Sequence, residues 1–129
     1  MKKIIIFGGS GFIGRHLIEQ LQDDYDVIVI TRRSKTMVNK LSNKVKIERL
    51  RSRNVTKLSA LFEDAKAVIN LAGENIGKRW NKKKMAKIKK SRLDVDNIII
   101  RAARGTKNML KVIIQGSSVG IYGLSRTSI

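Results

Sequence analysis

The chain contains no cysteine, which removes disulfides, thiolate zinc sites and cysteine nucleophiles from consideration while leaving the redox compartment open. It also lacks any apolar run near the ~18 residues that a membrane span needs. Only four apolar residues follow Met1-Lys2-Lys3, too few for the core of a secretory signal. The expected residence is therefore cytoplasmic, with no membrane partner. Aromatic side chains are scarce: Trp80, two tyrosines and three phenylalanines offer little surface for stacking bases. Acidic residues are scarce too, with 10 Asp and Glu against 28 Lys and Arg and a net charge of +18. Such a charge suits nucleic acid, a membrane surface or an acidic ligand. A general richness in lysine, isoleucine and asparagine accounts for it more simply, as does an acidic segment lying elsewhere. Without an RNA-binding aromatic motif, nucleic acid is not the expected partner. At 129 residues the chain is long enough for one domain with a real core.

What is present is organised around residues 2–33. Lys2-Lys3-Ile4-Ile5-Ile6-Phe7 is a short apolar strand that runs into Gly8-Gly9-Ser10-Gly11-Phe12-Ile13-Gly14 and then an amphipathic stretch from Phe12 to Leu21. Strand, glycine-rich turn and helix in this order are the pattern of dinucleotide binding. Gly9, Gly11 and Gly14 fit G-x-G-x-x-G, while Gly8, Gly11 and Gly14 fit the wider G-x-x-G-x-x-G. In either setting the first glycine turns the chain at positive φ, the second admits a pyrophosphate, and the third lets the helix lie close on the sheet. The helix then meets the phosphates with free N–H groups. A plain glycine turn has the same letters, so context decides. Leu17, Ile18 and Leu21 continue a helical stripe begun by Phe12 and Ile13, Asp23-Asp24-Tyr25-Asp26 breaks it, and Val27-Ile28-Val29-Ile30 forms a second buried strand. The whole is a βαβ unit of ordinary length.

The end of the second strand bears on the cofactor. Enzymes that prefer NAD usually carry an acidic residue there for the ribose 2′-OH, but this chain has Thr31-Arg32-Arg33 and no carboxylate until Glu48. Guanidinium forks match the oxygens of a 2′-phosphate, which favours NADP over NAD. The alternative is that Arg32 and Arg33 are two more surface cations.

Residues 34–44 read as a loop or short weak helix, and Val45 to Leu50 alternates as a third strand. Asn54 to Asp64 holds Leu58, Leu61 and Phe62 at helical spacing, with Thr56 as a candidate N-cap. Ala67 to Gly73 is a fourth strand ending in small residues, which suit either a passing cofactor ring or a simple turn. From Gly77 to Leu93 lysine and arginine dominate. Met85, Ile88, Val95, Ile99 and Ala102 share one face, so the charges are the solvated side of a long helix that Gly105 ends. A basic helix for DNA or membranes is the sharper alternative. Leu110 to Gln115 is a fifth strand, and Gly116-Ser117-Ser118-Val119-Gly120-Ile121-Tyr122-Gly123 follows at its C-terminal end, where open α/β sheets bind ligands.

Five motifs in this order, Gly8 to Gly14, Asn70-Leu71-Ala72-Gly73-Glu74-Asn75, Arg79-Trp80, Ser91-Arg92 and Ser117 to Gly123, resemble the extended short-chain dehydrogenase/reductases. The match is to the NAD(P)-dependent epimerase/dehydratase branch, often labelled nucleoside-diphosphate-sugar epimerase, and it covers the whole chain. The resemblance implies a Rossmann-type doubly wound parallel α/β sheet with strand order 3-2-1-4-5, ending after strand five, so that residues 1–129 are the NAD(P)-binding domain without its substrate-binding part. It implies NADP across the strand ends, held at Gly8, Ser10, Gly11, Phe12, Ile13 and Gly14. Thr31, Arg32 and Arg33 would stand near the adenosine ribose; Leu71, Ala72 and Gly73 would line the cofactor, with Ser117 close by. Arg92 stands where many relatives have an Asn and could reach the cofactor. Ser118 aligns with the catalytic Ser/Thr that hydrogen-bonds the reacting oxygen, and a nucleotide sugar would be the substrate of a longer protein.

One departure matters. Extended members carry Tyr-x-x-x-Lys some twenty-five residues past the serine, the tyrosine as acid/base and the lysine lowering its pKa. Tyr122 lacks a lysine four residues on, and the chain stops before the pair is due. The expected protein is thus the cofactor-binding portion of an epimerase/dehydratase-like oxidoreductase, catalytically incomplete in these residues. A non-catalytic NADP-sensing or regulatory protein is the alternative, with a basic nucleic-acid module third. An uncovered fifth strand and the 81–104 helix imply a homo-oligomer.

Overall fold

The computed structural model describes residues 1–31, 41–49, 54–72, 81–107 and 110–116. Eight elements follow in chain order: β1 (Lys3–Phe7), α1 (Phe12–Leu21), β2 (Asp26–Thr31), β3 (Lys46–Arg49), α2 (Val55–Phe62), β4 (Ala65–Asn70), α3 (Lys82–Arg104) and β5 (Val112–Gln115). The five strands form one sheet in the order β3-β2-β1-β4-β5, and every neighbouring pair is parallel. The expected doubly wound Rossmann-type order is therefore present.

Alternation along the strands divides the core in two. Ile5 and Phe7 of β1 face one side with Ile28, Ile30 and Val68, beneath Leu58 and Phe62 of α2 and Val95, Ile98, Ile99 and Ala102 of α3. Ile4 and Ile6 face the other side with Val27, Val29 and Ile69, beneath Ile18 of α1. Both faces of the central strands are covered, which is why β1 and β2 read as unbroken apolar runs. Each fully buried Ile, Val or Phe contributes roughly 1.5–3 kcal/mol relative to its exposed state.

Several boundaries differ from the expectation for physical reasons. Asn54, not Thr56, caps α2: its side chain accepts the Lys57 N–H at 3.1 Å. β4 begins two residues early, at Ala65, because the end of α2 is held tightly over it. Lys3 Nζ donates to the carbonyls of Leu61 and Glu63 at 2.7 Å each, a cation on the carbonyl end of a helix, and Asp64 turns the chain with φ 62°. The same strand stops at Asn70 rather than Gly73, since the Asn70 side chain takes the next available N–H, that of Ala72.

In α1 the buried stripe is Gly14 and Ile18 with Leu17 and Leu21 partly covered, whereas Phe12 and Ile13 are 81% and 66% exposed. They sit in the first turn, where none of the described residues covers them. α3 is buried through Ser91, Val95, Ile98, Ile99 and Ala102, but Met85 is 52% exposed. The stripe thus begins with a partly buried Ile88, is fully buried from Ser91 onward, and includes Ile98. Gly105 does end α3, and a Cβ there would lie 2.5 Å from Ser59 Oγ, so the glycine admits the α2–α3 contact that Ser59 Oγ makes with the Ala102 carbonyl at 2.9 Å. Among the described residues no helix is long and apolar enough to cross a membrane, and no cluster of His, Cys, Asp or Glu could hold a metal.

Candidate functional site

A parallel sheet places the C-terminal ends of its strands on one edge, and here β1, β4 and β5 deliver Gly8, Leu71 and Gly116 to it. The turn after β1 lies hard against the end of β4. Gly8 carries φ +75°, and a Cβ on it would lie 2.6 Å from Ala72 N and from the Leu71 carbonyl carbon. Only glycine meets both demands. A Cβ on Gly14 would come within 2.5 Å of Gly9 Cα, so that residue seats α1 directly on the turn. Gly9 is close-packed as well, since a Cβ on it would lie 3.0 Å from Val29 Cγ1, so the packing accounts for Gly8, Gly9 and Gly14 alike.

Gly11 differs from all three. Among the described residues, a Cβ there would meet only the Gly8 carbonyl oxygen, at an ordinary 3.4 Å. Nothing in the packing of the described residues requires glycine at that position, and the space it leaves opens over the start of α1. Gly11 is the N-cap of that helix, with no side-chain cap and no acidic residue in the first turn, so the positive end of the helix faces the same opening. Backbone N–H groups beside a side-chain-free surface are what a pyrophosphate uses. The Arg15 Nε donates to the Ser10 carbonyl at 3.0 Å, which folds a guanidinium back along the turn. The glycine spacing alone does not single out Arg15; its signal is a cation in the first turn of the helix that follows the glycines.

Thr31 is buried at the end of β2, opposite Arg49 of β3. Leu71 and Ala72 are partly buried, with Leu71 N–H bonded to the Phe7 carbonyl at 2.8 Å, so they lie against the glycine turn as expected. Arg92 is exposed on α3, one turn before Asp96, whose carboxylate reaches the end of β4. The structure thus brings Gly8, Ser10, Gly11, Gly14, Leu71 and Ala72 together. Phe12 and Ile13 border the same opening, where the Phe12 ring meets His16 edge to face at 4.9 Å. Arg32, Arg33, Gly73, Ser117 and Ser118 lie outside the described residues. Gly116, the residue before the serines in the sequence, donates its N–H to the Asn70 carbonyl at 2.9 Å and so lies at this edge.

A 3-2-1-4-5 parallel sheet with a glycine turn seated against the end of its fourth strand defines a Rossmann-type α/β protein. The chain belongs to the NAD dependent epimerase/dehydratase family, whose model matches residues 4–128. Among curated relatives, epimerase family protein YfhF of Bacillus subtilis is 32% identical over 95% of this chain and 39% of its own length. The chloroplastic SDR39U1 homolog of Arabidopsis thaliana, also an epimerase family protein, is 27% identical over 98% of this chain and 37% of its own. Of solved structures, UDP-glucuronic acid 4-epimerase from Bacillus cereus in complex with UDP-glucuronic acid and NAD superposes with a TM-score of 0.72 at 23% identity, over 98% of this chain and 43% of that one. Uronate dehydrogenase from Agrobacterium tumefaciens superposes at 0.66 and 16% identity, over 92% and 41%. The chain spans less than half the length of these relatives.

Proposed function

We propose that these 129 residues are the cofactor-holding domain of an epimerase/dehydratase-type oxidoreductase and bind a nicotinamide dinucleotide across the ends of β1, β2 and β4. The supporting observation is Gly11, a glycine that the packing of the described residues does not need, placed at a helix start without a side-chain cap. Gly8, Ser10, Gly11 and Gly14 would hold the pyrophosphate through backbone groups, with Phe12 and Ile13 closing over it. Thr31, Arg32 and Arg33 would take the adenosine ribose, and Leu71, Ala72, Gly73 and Ser117 would line the path toward the nicotinamide. Arg92 would approach from α3. When bound, the cofactor supplies reversible hydride transfer, and Ser118 would hydrogen-bond the oxygen of the carbon that exchanges it. The substrate class proposed for a longer protein is a nucleotide sugar, and the proposed residence is cytoplasmic.

Within these residues no tyrosine is followed four positions later by lysine, since Tyr25 precedes Val29 and Tyr122 precedes Arg126. That observation favours cofactor binding without turnover by this stretch, and it equally supports the second reading, an NADP-sensing or regulatory protein. NADP is proposed ahead of NAD because Arg32 and Arg33 follow Thr31 in the sequence, at the strand end where NAD-preferring enzymes usually carry an acidic residue. The NAD held by the Bacillus cereus 4-epimerase argues the other way. Calorimetry on the 129-residue chain decides: tighter binding of NADP(H), narrowed by Arg32→Ala with Arg33→Ala, is the expected result. Equal affinities would overturn the role of the arginines, and no binding of either cofactor would overturn the site.

A further inference from the structure

Asn70 is a polar residue closing an apolar strand, and it is 2% exposed. Its side-chain amide makes three hydrogen bonds. Nδ2 donates to Asp96 Oδ1 of α3 at 2.8 Å and to Gln115 Oε1 of β5 at 3.0 Å, while Oδ1 accepts the Ala72 N–H at 3.1 Å. The orientation of the amide follows from its partners, because an ionised carboxylate only accepts and a backbone N–H only donates. The Asn70 carbonyl also accepts the Gly116 N–H at 2.9 Å. One residue therefore ties α3, the end of β5 and the Leu71–Ala72 turn together, and that turn is the backbone lying against Gly8.

We propose that Asn70 is a positioning residue for the dinucleotide site, its buried amide holding the Leu71–Ala72 turn against the glycine turn and locking both to α3 and β5. The proposal rests on the cofactor reading above, with Leu71 and Ala72 in the path of the dinucleotide. Asparagine suits the place because it offers two donors and an acceptor from one short, rigid group. An aspartate of the same shape would set a carboxylate against Asp96, and a leucine would leave the Ala72 N–H and the Asp96 carboxylate without their partner.

Isosteric exchange tests it on the full 129-residue chain. Asn70→Asp is expected to weaken NADP(H) or NAD(H) binding at least tenfold and to speed hydrogen exchange at the Ala72 amide at least tenfold relative to Val68. Adding Asp96→Asn reverses the polarity of the pair: the amide introduced on α3 donates to the carboxylate introduced on β4, Gln115 turns its own amide to donate, and the Ala72 N–H keeps its acceptor. The double variant is expected to return both readouts to within threefold of the unmodified chain. Uniform acceleration of Ala72 and Val68 exchange with unchanged cofactor affinity would mean a purely structural role and overturn the proposal. So would a folded Asn70→Asp chain that behaves like the original. If Asn70→Asp does not fold, the double variant decides, since failure to recover folding and binding overturns the network as drawn. An unmodified chain that binds neither cofactor would overturn the cofactor reading itself. Ala72 exchange would then still report whether Asn70 holds the turn.

Discussion

β4 and β5 are neighbours in register, Val68 beside Ile113 and Ile69 beside Ile114, and both are short and apolar, yet their surroundings are opposite. Val68 and Ile69 are 0% and 7% exposed, whereas Val112, Ile113 and Ile114 are 46%, 45% and 50% exposed. Composition does not separate the two strands; cover does. β4 lies between the two core clusters, while the described residues leave β5 open on both faces and along one edge. The same contrast runs along α3, which is buried from Ser91 onward and holds no buried residue over Lys82 to Lys90. A closed region and an open one thus meet within single elements.

The largest effect should come from placing one charge on each side of that boundary. Val68→Asp puts a carboxylate into a dry core, a penalty of several kcal/mol against a total stability on the order of 5–15 kcal/mol. Loss of the cooperative melt by circular dichroism is expected. Ile113→Lys, at the paired position, is expected to shift stability by about 1 kcal/mol or less, as for an exposed site. Comparable losses in both would mean that β5 is as enclosed as β4.

The glycine turn offers the same contrast on a smaller scale. Gly8→Val strains a left-handed residue and drives a side chain into the Leu71–Ala72 backbone, so the chain should lose much of its stability. Gly11→Val meets only ordinary contact from the described residues and should fold, while dinucleotide affinity falls at least tenfold on the physical ground that the pyrophosphate's space is taken. Near-unchanged affinity in a folded Gly11→Val chain would sink the phosphate-cradle role.

What is legible in the sequence follows the same division. The β1–α1–β2 unit can be read because a continuous Ile/Val run this short, bounded by turn residues, fits a strand buried on both faces, and the order of the motifs carries the strand order. Exposure of Phe12, Ile13 and Met85 cannot be read, since periodicity marks a face without saying where the sheet beneath it ends. The close approach of Gly8 to the Leu71–Ala72 backbone, some sixty residues away in the chain, cannot be read either. Asn70 opens one of the five motifs, but its role is hidden because its partners on α3 and β5 come together only in the fold.

Self-association should sharpen the comparison further. An apolar strand edge with both faces half open favours pairing with another chain, and a net charge of +18 opposes it. At moderate salt, where the repulsion is screened, light scattering is expected to report an oligomer. Ile114→Lys, at an exposed position on the open strand, should shift it toward monomer without lowering the melting temperature by more than a few degrees. A monomer at every salt concentration, with strong exchange protection along residues 110–115, would show that the open region is already closed.

The smallest effect sets one capping interaction in each region. Asn54 accepts the Lys57 N–H at 3.1 Å to start α2, and Asn81 accepts the Lys84 N–H at 2.7 Å to start α3. The chemistry is the same, and removing an Asn cap typically costs about 1 kcal/mol. α2 presses Leu58 and Phe62 into the core from its first turns, so fraying there loosens the whole domain, and Asn54→Ala should lower global stability by about that amount. α3 opens instead with Lys82, Lys83 and Lys84, cations at the end of a helix that prefers anions, and none of its first nine residues is fully buried, Lys84 and Ile88 being only partly covered. Asn81→Ala should therefore unwind that end locally, seen as faster amide exchange over residues 82–90, while the denaturant midpoint of the domain stays almost unchanged. A midpoint shift as large as that of Asn54→Ala would mean that the lysine-rich half of α3 is coupled to the core after all, and the line between closed and open regions would have to be drawn further out along the helix.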